Sequence, residues 1–362
     1  MSTDINILPL KNWLHSEAET LLIAGPCSAE NEEQVLATAK ELSLNTKVKI
    51  FRAGIWKPRT RPDGFEGIGN PGLQWLKKVK ETTGLLTTVE VATTNHIEEC
   101  LKNGVDILWI GARTVGNPFS MQELAEVLKG IDIPVFIKNP LNPDLKLWLG
   151  AIERLNNVGI NKIAAIHRGF YTYNSKPYRN SPLWEIPIEL KRIVPDLPII
   201  CDPSHIAGDR KLIASVSQRA LDLEMDGLMI EVHPDPANAL TDAKQQLTPS
   251  EFNVLIDGLI FRHEVGSKAF QNKLANLRAK IDIVDDELIH VLSKRMNLVI
   301  QIGEFKKENN ITILQLKRWN EIINNRLEKA EQLGLDKIFV MNLLEILHQE
   351  SIQLQNNILN KE

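Results

Sequence analysis

The sequence predicts a (β/α)8 barrel followed by an all-α unit of three helices that dimerises into a helical bundle. Eight short apolar runs, separated by helix-like stretches, are complete by His233. Each run leads into a polar or charged group, as strands do when they feed a site at one end of a barrel. All 18 prolines lie at or before Pro249. Proline breaks helices and marks loops, so the chain changes architecture there.

The β-like runs are 21–27, 49–55, 86–92, 107–112, 134–139, 162–169, 198–205 and 227–233. In a barrel of this kind the active site gathers at the C-terminal strand ends. Here those ends carry Cys27, Lys57, Arg59, Glu90, Arg113, Lys138, Arg168, His205 and Glu231. So many charges at one mouth are not packing residues. They describe a site for a strongly anionic substrate beside a metal.

The segment 248–262 reads as the last barrel helix, with Thr248 as N-cap and Pro249 at the first helical position. Gly266-Ser267 reads as a hinge, which divides a barrel over 1–265 from a helical unit over 266–362. Beyond it, Leu274, Leu277, Ile281, Val284, Leu288, Val291 and Leu292 recur at spacings of three and four. That periodicity predicts an amphipathic helix to about Lys306. A polar gap over 307–310 precedes a second helix from near Ile313, with Gly334 as its C-cap. A third helix is predicted from about Asp336 to Leu359. Three helices, the first very long, do not bury their apolar stripes alone, so a homodimer through this unit is expected.

Composition bounds the function. The 362 residues accommodate one barrel of about 250 residues and a smaller unit. Hydrophobic content of 43% and charged content of 24% suit a soluble globular protein. The net charge of −4 and pI of 6.1 give no general attraction to nucleic acid or a lipid surface. Three cysteines are too few for a disulfide framework and suit a reducing cytoplasm. Residues 1–14 lack the pattern of a signal peptide, no regulatory unit is expected before Leu21, and no apolar run approaches ~20 residues, the length of a membrane span.

Within the barrel, Cys27 in Gly25-Pro26-Cys27-Ser28, His205 in Asp202-Pro203-Ser204-His205, Glu231 and Asp242 stand at or just beyond strand ends. A lone cysteine or histidine is usually structural. A thiolate, an imidazole and two carboxylates at one mouth instead make a mixed-ligand divalent metal site. Thiolate and imidazole favour a transition metal such as Fe, Co or Zn, and the carboxylates admit Mn. Cys100 reads as helix packing and Cys201 is given no role. Arg52, Lys57, Arg59, Arg113, Lys138 and Arg168 form a cationic set, most of them close to glycine or proline. Small neighbours let a phosphate approach, and arginine binds it in bidentate fashion. Six cations suit two phosphates and a carboxylate.

In order, Gly25-Pro26-Cys27-Ser28, Lys57-Pro58-Arg59-Thr60, Gly111-Ala112-Arg113, Ile137-Lys138-Asn139-Pro140, His167-Arg168-Gly169, Asp202-Pro203-Ser204-His205, Ile230-Glu231-Val232-His233-Pro234 and Thr241-Asp242-Ala243 resemble the 3-deoxy-D-arabino-heptulosonate-7-phosphate (DAHP) synthases of the short-core subfamily. The resemblance covers about 21–262. It implies metal ligands at Cys27, His205, Glu231 and Asp242. It implies phosphoenolpyruvate contacts at Arg52, Lys57, Ala112, Arg113, Lys138 and Arg168, and erythrose 4-phosphate contacts at Lys57, Pro58, Arg59 and Thr60. Such enzymes join the two substrates and release phosphate, the first step of aromatic amino-acid synthesis. Lys57 is expected to donate a proton to the developing alkoxide or to polarise it. The related octulosonate phosphate synthases are the nearest alternative. Lys57-Pro58-Arg59-Thr60 argues for the four-carbon sugar.

In the helical unit, Arg278 and Arg295 lie 17 residues apart, Lys306 follows 11 later and Arg318 12 later, and Ser351 and Gln355 share one helix face. Any one of these is ordinarily a surface group. Their spacing is similar to the all-helical chorismate mutases over about 270–359. The resemblance implies that Arg295, and Arg278 from the partner subunit, bind carboxylates of chorismate or prephenate. It implies donors to the breaking ether at Lys306 and Gln355, and further contacts at Arg318 and Ser351. No cofactor is expected for that reaction. Trp319 stands where the family commonly has a glutamate that binds the substrate hydroxyl, and Gln315 where an acidic residue is usual. The chain is therefore read as a bifunctional enzyme, a DAHP synthase-like barrel fused to a chorismate mutase-like bundle, with the alternative that the helical unit is a sensor that binds chorismate or prephenate and restrains the barrel.

Overall fold

The structure is a computed structural model that describes residues 5–14, 20–57, 64–262 and 267–360. The chain divides into two compact units, Met1–Glu264 and Val265–Glu362.

The first unit is a closed barrel of eight strands in sequence order. They are β1 (Leu21–Gly25), β2 (Val48–Arg52), β3 (Leu86–Val91), β4 (Ile107–Ile110), β5 (Val135–Lys138), β6 (Ile163–His167), β7 (Ile199–Cys201) and β8 (Gly227–Glu231). Every neighbouring pair is parallel. Successive side chains on a strand point to opposite faces. One parity, with Ile23, Ile50, Trp109, Phe136, Ala164, Ile166, Ile200 and Met229, fills the barrel interior. The other, with Leu22, Phe51, Leu108, Val135, Ala165, Cys201 and Leu228, packs against the surrounding helices. Truncating one of these buried branched residues to alanine costs roughly 2–5 kcal/mol. Leu10, Trp13 and Leu14 join the interior cluster from the N-terminal segment, and the Trp13 ring lies 6.2 Å from Phe136.

The interior parity decides the site. Carried one step toward the C-terminal end, it turns Cys27, Arg52, Glu90, Lys138, Arg168, Asp202 and Glu231 inward. The same rule turns His167 and Cys201 outward, which leaves Cys201 in the apolar layer behind the sheet. Cys100 is buried on the helix Thr94–Lys102. The helices begin on caps of the expected kind: Asn31, Thr93, Asn117, Asp144, Asp209 and Thr248 each accept a backbone N–H. Each such cap contributes about 1 kcal/mol. The last barrel helix, Pro249–Gly258, has a full capping box between Thr248 and Glu251. It stops at Gly258 rather than near Arg262, because Leu259 is already extended.

The second unit has helices Lys268–Glu308, Leu316–Gln332 and Lys337–Leu359. The first absorbs two residues of the expected polar gap. The second begins three residues later than the periodicity suggests. There Lys306 donates to the Ile313 carbonyl at 2.5 Å, and Asn310 takes a positive φ of 55°, so the 309–315 loop is held non-helical. Residues 268–291 are exposed apart from Leu274. Burial begins where the first helix meets the third, at Val299, Gly303, Ser351 and Gln355. A Cβ on Gly303 would lie 3.2 Å from Gln355 Cγ and 2.9 Å from Ile358 Cδ1. Glycine therefore permits the close approach that buries Gln355. No described helix is long and apolar enough to cross a membrane.

Candidate active sites

At the barrel mouth, Cys27, Glu231 and Asp242 bring one ligand atom each within 4.8 Å of one another. His205 joins them, with Nε2 3.8 Å from Glu231 Oε1 and 4.0 Å from Asp242 Oδ2. The turn after β1, the end of β8, the loop after β8 and the short helix Pro203–Ala207 each supply one of the four. The donor set fits a divalent cation. Glu231 Oε1 is buried without a hydrogen-bond partner. Burial, and then Glu231, push the Cys27 thiol up to about 12. A buried thiol crowded by carboxylates gains from a cation that takes all of them as ligands.

Neighbouring groups hold these four side chains in place. Gln245 Nε2 donates to Glu231 Oε2 at 2.6 Å and to Asp242 Oδ2 at 3.3 Å. Gln246 accepts from the Cys27 amide at 2.9 Å. Asp202 Oδ2 stands 2.8 Å from His205 Nδ1 and accepts from Lys138 Nζ at 2.8 Å. Burial would raise the Asp202 carboxyl, but His205 and Lys138 hold it well below its ordinary value. Arg179 Nη1 donates to Asp242 Oδ1 at 3.0 Å and to Gln245 Oε1 at 2.7 Å.

Beside the ligand cluster lies a cationic wall. Arg52 is 1% exposed, and its guanidinium carbon sits 5.0 Å from the Trp109 ring centroid. Its Nη2 reaches Cys27 O at 3.3 Å and Glu231 Oε1 at 3.4 Å, but Nε and Nη1 have no partner. Arg168 is buried and donates to Asn180 Oδ1 at 2.8 Å. Burial, with repulsion from Arg179 and Arg113, pulls it down to about 10. Buried guanidinium nitrogens without acceptors, as on Arg52, are costly, and an anion beside them would offset that cost. Lys57 Nζ lies 3.3 Å from Cys27 Sγ. Burial would lower it, but Cys27 and Glu90 hold its ammonium above its ordinary value. Glu90 accepts from Trp109 Nε1 at 3.2 Å, and a Cβ on Gly111 would fall 2.1 Å from Glu90 Oε1.

The sequence-predicted barrel residues Cys27, Arg52, Lys57, Lys138, Arg168, His205, Glu231 and Asp242 thus converge. Arg113 stands exposed beside half-buried Ala112, close enough to Arg168 to repel it. Pro58, Arg59 and Thr60 lie outside the described residues. The sequence reading missed Arg179, Asn180, Asp202, Gln245 and Gln246. Asp202 stood inside a quoted motif and Gln245 three residues beyond Asp242, so proximity was the available signal. Arg179 and Asn180, in the long loop after β6, offered none.

In the helical unit, Arg295 Nη1 donates to Ser351 Oγ at 2.9 Å across the first and third helices. Gln355 is buried one turn on, and its Oε1 has no partner. Lys306 is engaged with Ile313 O. Arg318 is exposed and pairs with Glu321 at 3.2 Å. Arg278 is exposed on the first helix, about 25 Å along the axis from Arg295 by helical rise. Trp319 stacks on His348, with ring centroids 3.9 Å apart and planes at 10°.

Comparison with known proteins gives two family matches. Residues 13–259 match the DAHP synthetase I family, and residues 277–356 match chorismate mutase type II. A phospho-2-dehydro-3-deoxyheptonate aldolase of Thermotoga maritima is 33% identical over 235 residues, covering 65% of this chain and 67% of that protein. A 2-dehydro-3-deoxyphosphooctonate aldolase of Syntrophotalea carbinolica is 28% identical over 246 residues, covering 62% of this chain and 84% of that protein. The crystal structure of the Thermotoga maritima DAHP synthase superposes with a TM-score of 0.59 at 32% identity, covering 66% of this chain and 67% of that one. A truncated form of the DAHP synthase from the same organism gives 0.57 at 30% identity, covering 66% and 84%.

Proposed function

Because this chain belongs to the DAHP synthetase I family and carries a chorismate mutase type II domain, we propose that it holds two active sites on one polypeptide. The barrel joins phosphoenolpyruvate to erythrose 4-phosphate, and the helical unit rearranges chorismate to prephenate. The observation that carries the barrel reading is the Arg52 guanidinium, buried beside the ligand cluster with two nitrogens lacking acceptors. An anionic substrate supplies those acceptors.

Cys27, His205, Glu231 and Asp242 would hold one divalent metal ion, of Mn, Fe, Co or Zn. When bound, it supplies Lewis-acid polarisation of the sugar aldehyde. Arg168 and Arg113 bind the phosphate of phosphoenolpyruvate and keep it in place until it leaves. Arg52 and Lys138 face its carboxylate end. C3 of phosphoenolpyruvate attacks the aldehyde carbon, and the Lys57 ammonium gives its proton to the developing alkoxide. Water adds at C2, and the C2–O bond to phosphate breaks. Lys57, Pro58, Arg59 and Thr60 are the proposed sugar-phosphate contacts.

In the helical unit, the rearrangement needs a held conformer and charge stabilisation rather than a nucleophile. Arg295 binds a carboxylate, and Ser351 orients it. Lys306 and Gln355 donate to the ether oxygen, so Lys306 must exchange its Ile313 carbonyl for substrate. Leu277, Ile281, Val284 and Leu288 are each at least 49% exposed. A second copy of the chain covers this stripe and brings Arg278 of the partner subunit to the site. A regulatory reading of the unit has one observation in its favour: Trp319, stacked on His348, offers no carboxylate to a substrate hydroxyl.

The deciding experiment follows chorismate disappearance with purified chain in EDTA, which silences the barrel alone. Turnover well above the uncatalysed rate establishes the second activity. Chorismate binding without turnover makes the helical unit a sensor.

A further inference from the structure

We propose that Arg179 is a positioning residue for the metal centre, holding one oxygen of Asp242 so that the other faces the ligand cluster. The inference rests on the metal reading above. The two carboxylate oxygens have divided surroundings. Oδ1 accepts from Arg179 Nη1 at 3.0 Å. Oδ2 faces Cys27 Sγ at 3.5 Å, Gln245 Nε2 at 3.3 Å and His205 Nε2 at 4.0 Å. An arginine on the outer oxygen leaves the inner one to a cation and prevents the carboxylate from rotating. It also offsets the negative charge of a site with three anionic ligands.

Asp242 needs such support. It has a φ of 49°, a conformation uncommon for a side chain other than glycine. The same Arg179 nitrogen bridges Asp242 and Gln245, tying both ends of that turn, and Gln245 in turn grips Glu231. Arg179 is half exposed, with its main chain and stem in contact with the neighbouring segment. Its amide donates to Ile206 O at 3.0 Å, and its stem lies against Gly208, where an added Cβ would fall 2.4 Å from Arg179 Cβ. The next residue, Asn180, donates to His205 O at 2.6 Å and accepts from Arg168. Two adjacent residues of one loop thus brace two of the four metal ligands and an arginine of the anion wall.

The test titrates Mn2+ into the chelator-stripped full chain by calorimetry, with no substrate present. Arg179→Gln is expected to weaken Mn2+ binding about 10- to 100-fold, the usual effect of losing a group that orients a ligand. Arg179→Lys should recover part of it, since one nitrogen makes both contacts. Arg179→Met keeps the packed stem and gives the same reading if the glutamine variant folds poorly. Asp242→Ala removes the carboxylate that Arg179 holds, so adding Arg179→Gln to it should keep only the smaller part of the effect, the part that passes through Gln245 to Glu231. Wild-type Mn2+ affinity in Arg179→Gln, or its full effect persisting beside Asp242→Ala, overturns the proposal. Cys27→Ala separates the premises. If Cys27→Ala weakens Mn2+ while Arg179→Gln does not, only the role of Arg179 falls. If Cys27→Ala leaves Mn2+ binding intact, the ligand assignment falls, and this proposal with it.

Discussion

The Lys57 ammonium stands 3.3 Å from the Cys27 sulfur and 3.0 Å from the Cys27 carbonyl oxygen. One residue of the mouth thus anchors the group proposed to donate a proton and also offers the thiolate proposed as a ligand. Binding and proton transfer are joined through a single backbone position at the end of β1.

Cys27→Ala is therefore expected to remove tight metal binding and at least about 100-fold of synthase activity, in line with the loss of a direct ligand. The mutase should be untouched. Metal content and both activities, measured on the same preparation, check this. Equal loss of both would mean that the two sites depend on each other.

Metal binding should depend on pH in a defined sense. With its thiol near 12 before a cation arrives, Cys27 is protonated throughout the neutral range. Burial lowers His205 below its ordinary value, so its ring is already neutral near pH 7. Binding then releases one proton, and Kd should fall about tenfold for each unit rise between pH 7 and 9. Calorimetry in buffers of different ionisation enthalpy counts the proton. A flat profile would mean that the thiol does not ligate as thiolate.

Arg295→Ala removes the bond to Ser351 Oγ at 2.9 Å and the proposed carboxylate anchor. Mutase kcat/KM should fall by about 100-fold or more, the scale of a lost charged contact of about 3 kcal/mol. Synthase activity measured without chorismate or prephenate should not change. Retention of mutase activity would place the substrate elsewhere.

Ile281→Asp puts a charge on the stripe proposed to face a second copy, at a position 58% exposed in the single chain. The helix itself should survive, since the residue touches little of its own unit. Sedimentation should show a smaller assembly, and mutase activity should fall with it because Arg278 comes from the partner. An unchanged assembly with full mutase activity would rule this face out as the interface.

Much of the barrel was legible because strand alternation is a local property. Once 49–55 or 227–233 is a strand, period two decides that Arg52 and Glu231 share the inward face with Ile50 and Met229. The run ends then place cations and ligands at one mouth. The long first helix of the second unit was legible for a similar reason: Leu277, Ile281, Val284 and Leu288 repeat at helical spacing whatever they touch. Less legible were the ends of elements, where Leu259 and the 309–315 loop follow contacts and backbone conformations that periodicity does not encode.

By itself the sequence determined the order of strands, the change of architecture after Pro249, and which side chains a barrel must turn toward its mouth. Only the tertiary structure decided which groups hold the proposed ligands. Arg179 meets Asp242 across 63 residues and Cys27 meets Gln246 across 219. Those meetings depend on the loops after β6, β8 and β1 coming together at the C-terminal mouth of the barrel. The physical reason is one of range. Alternation and amphipathicity follow from bonds between near neighbours, whereas a hydrogen bond between distant loops exists only after the barrel has closed.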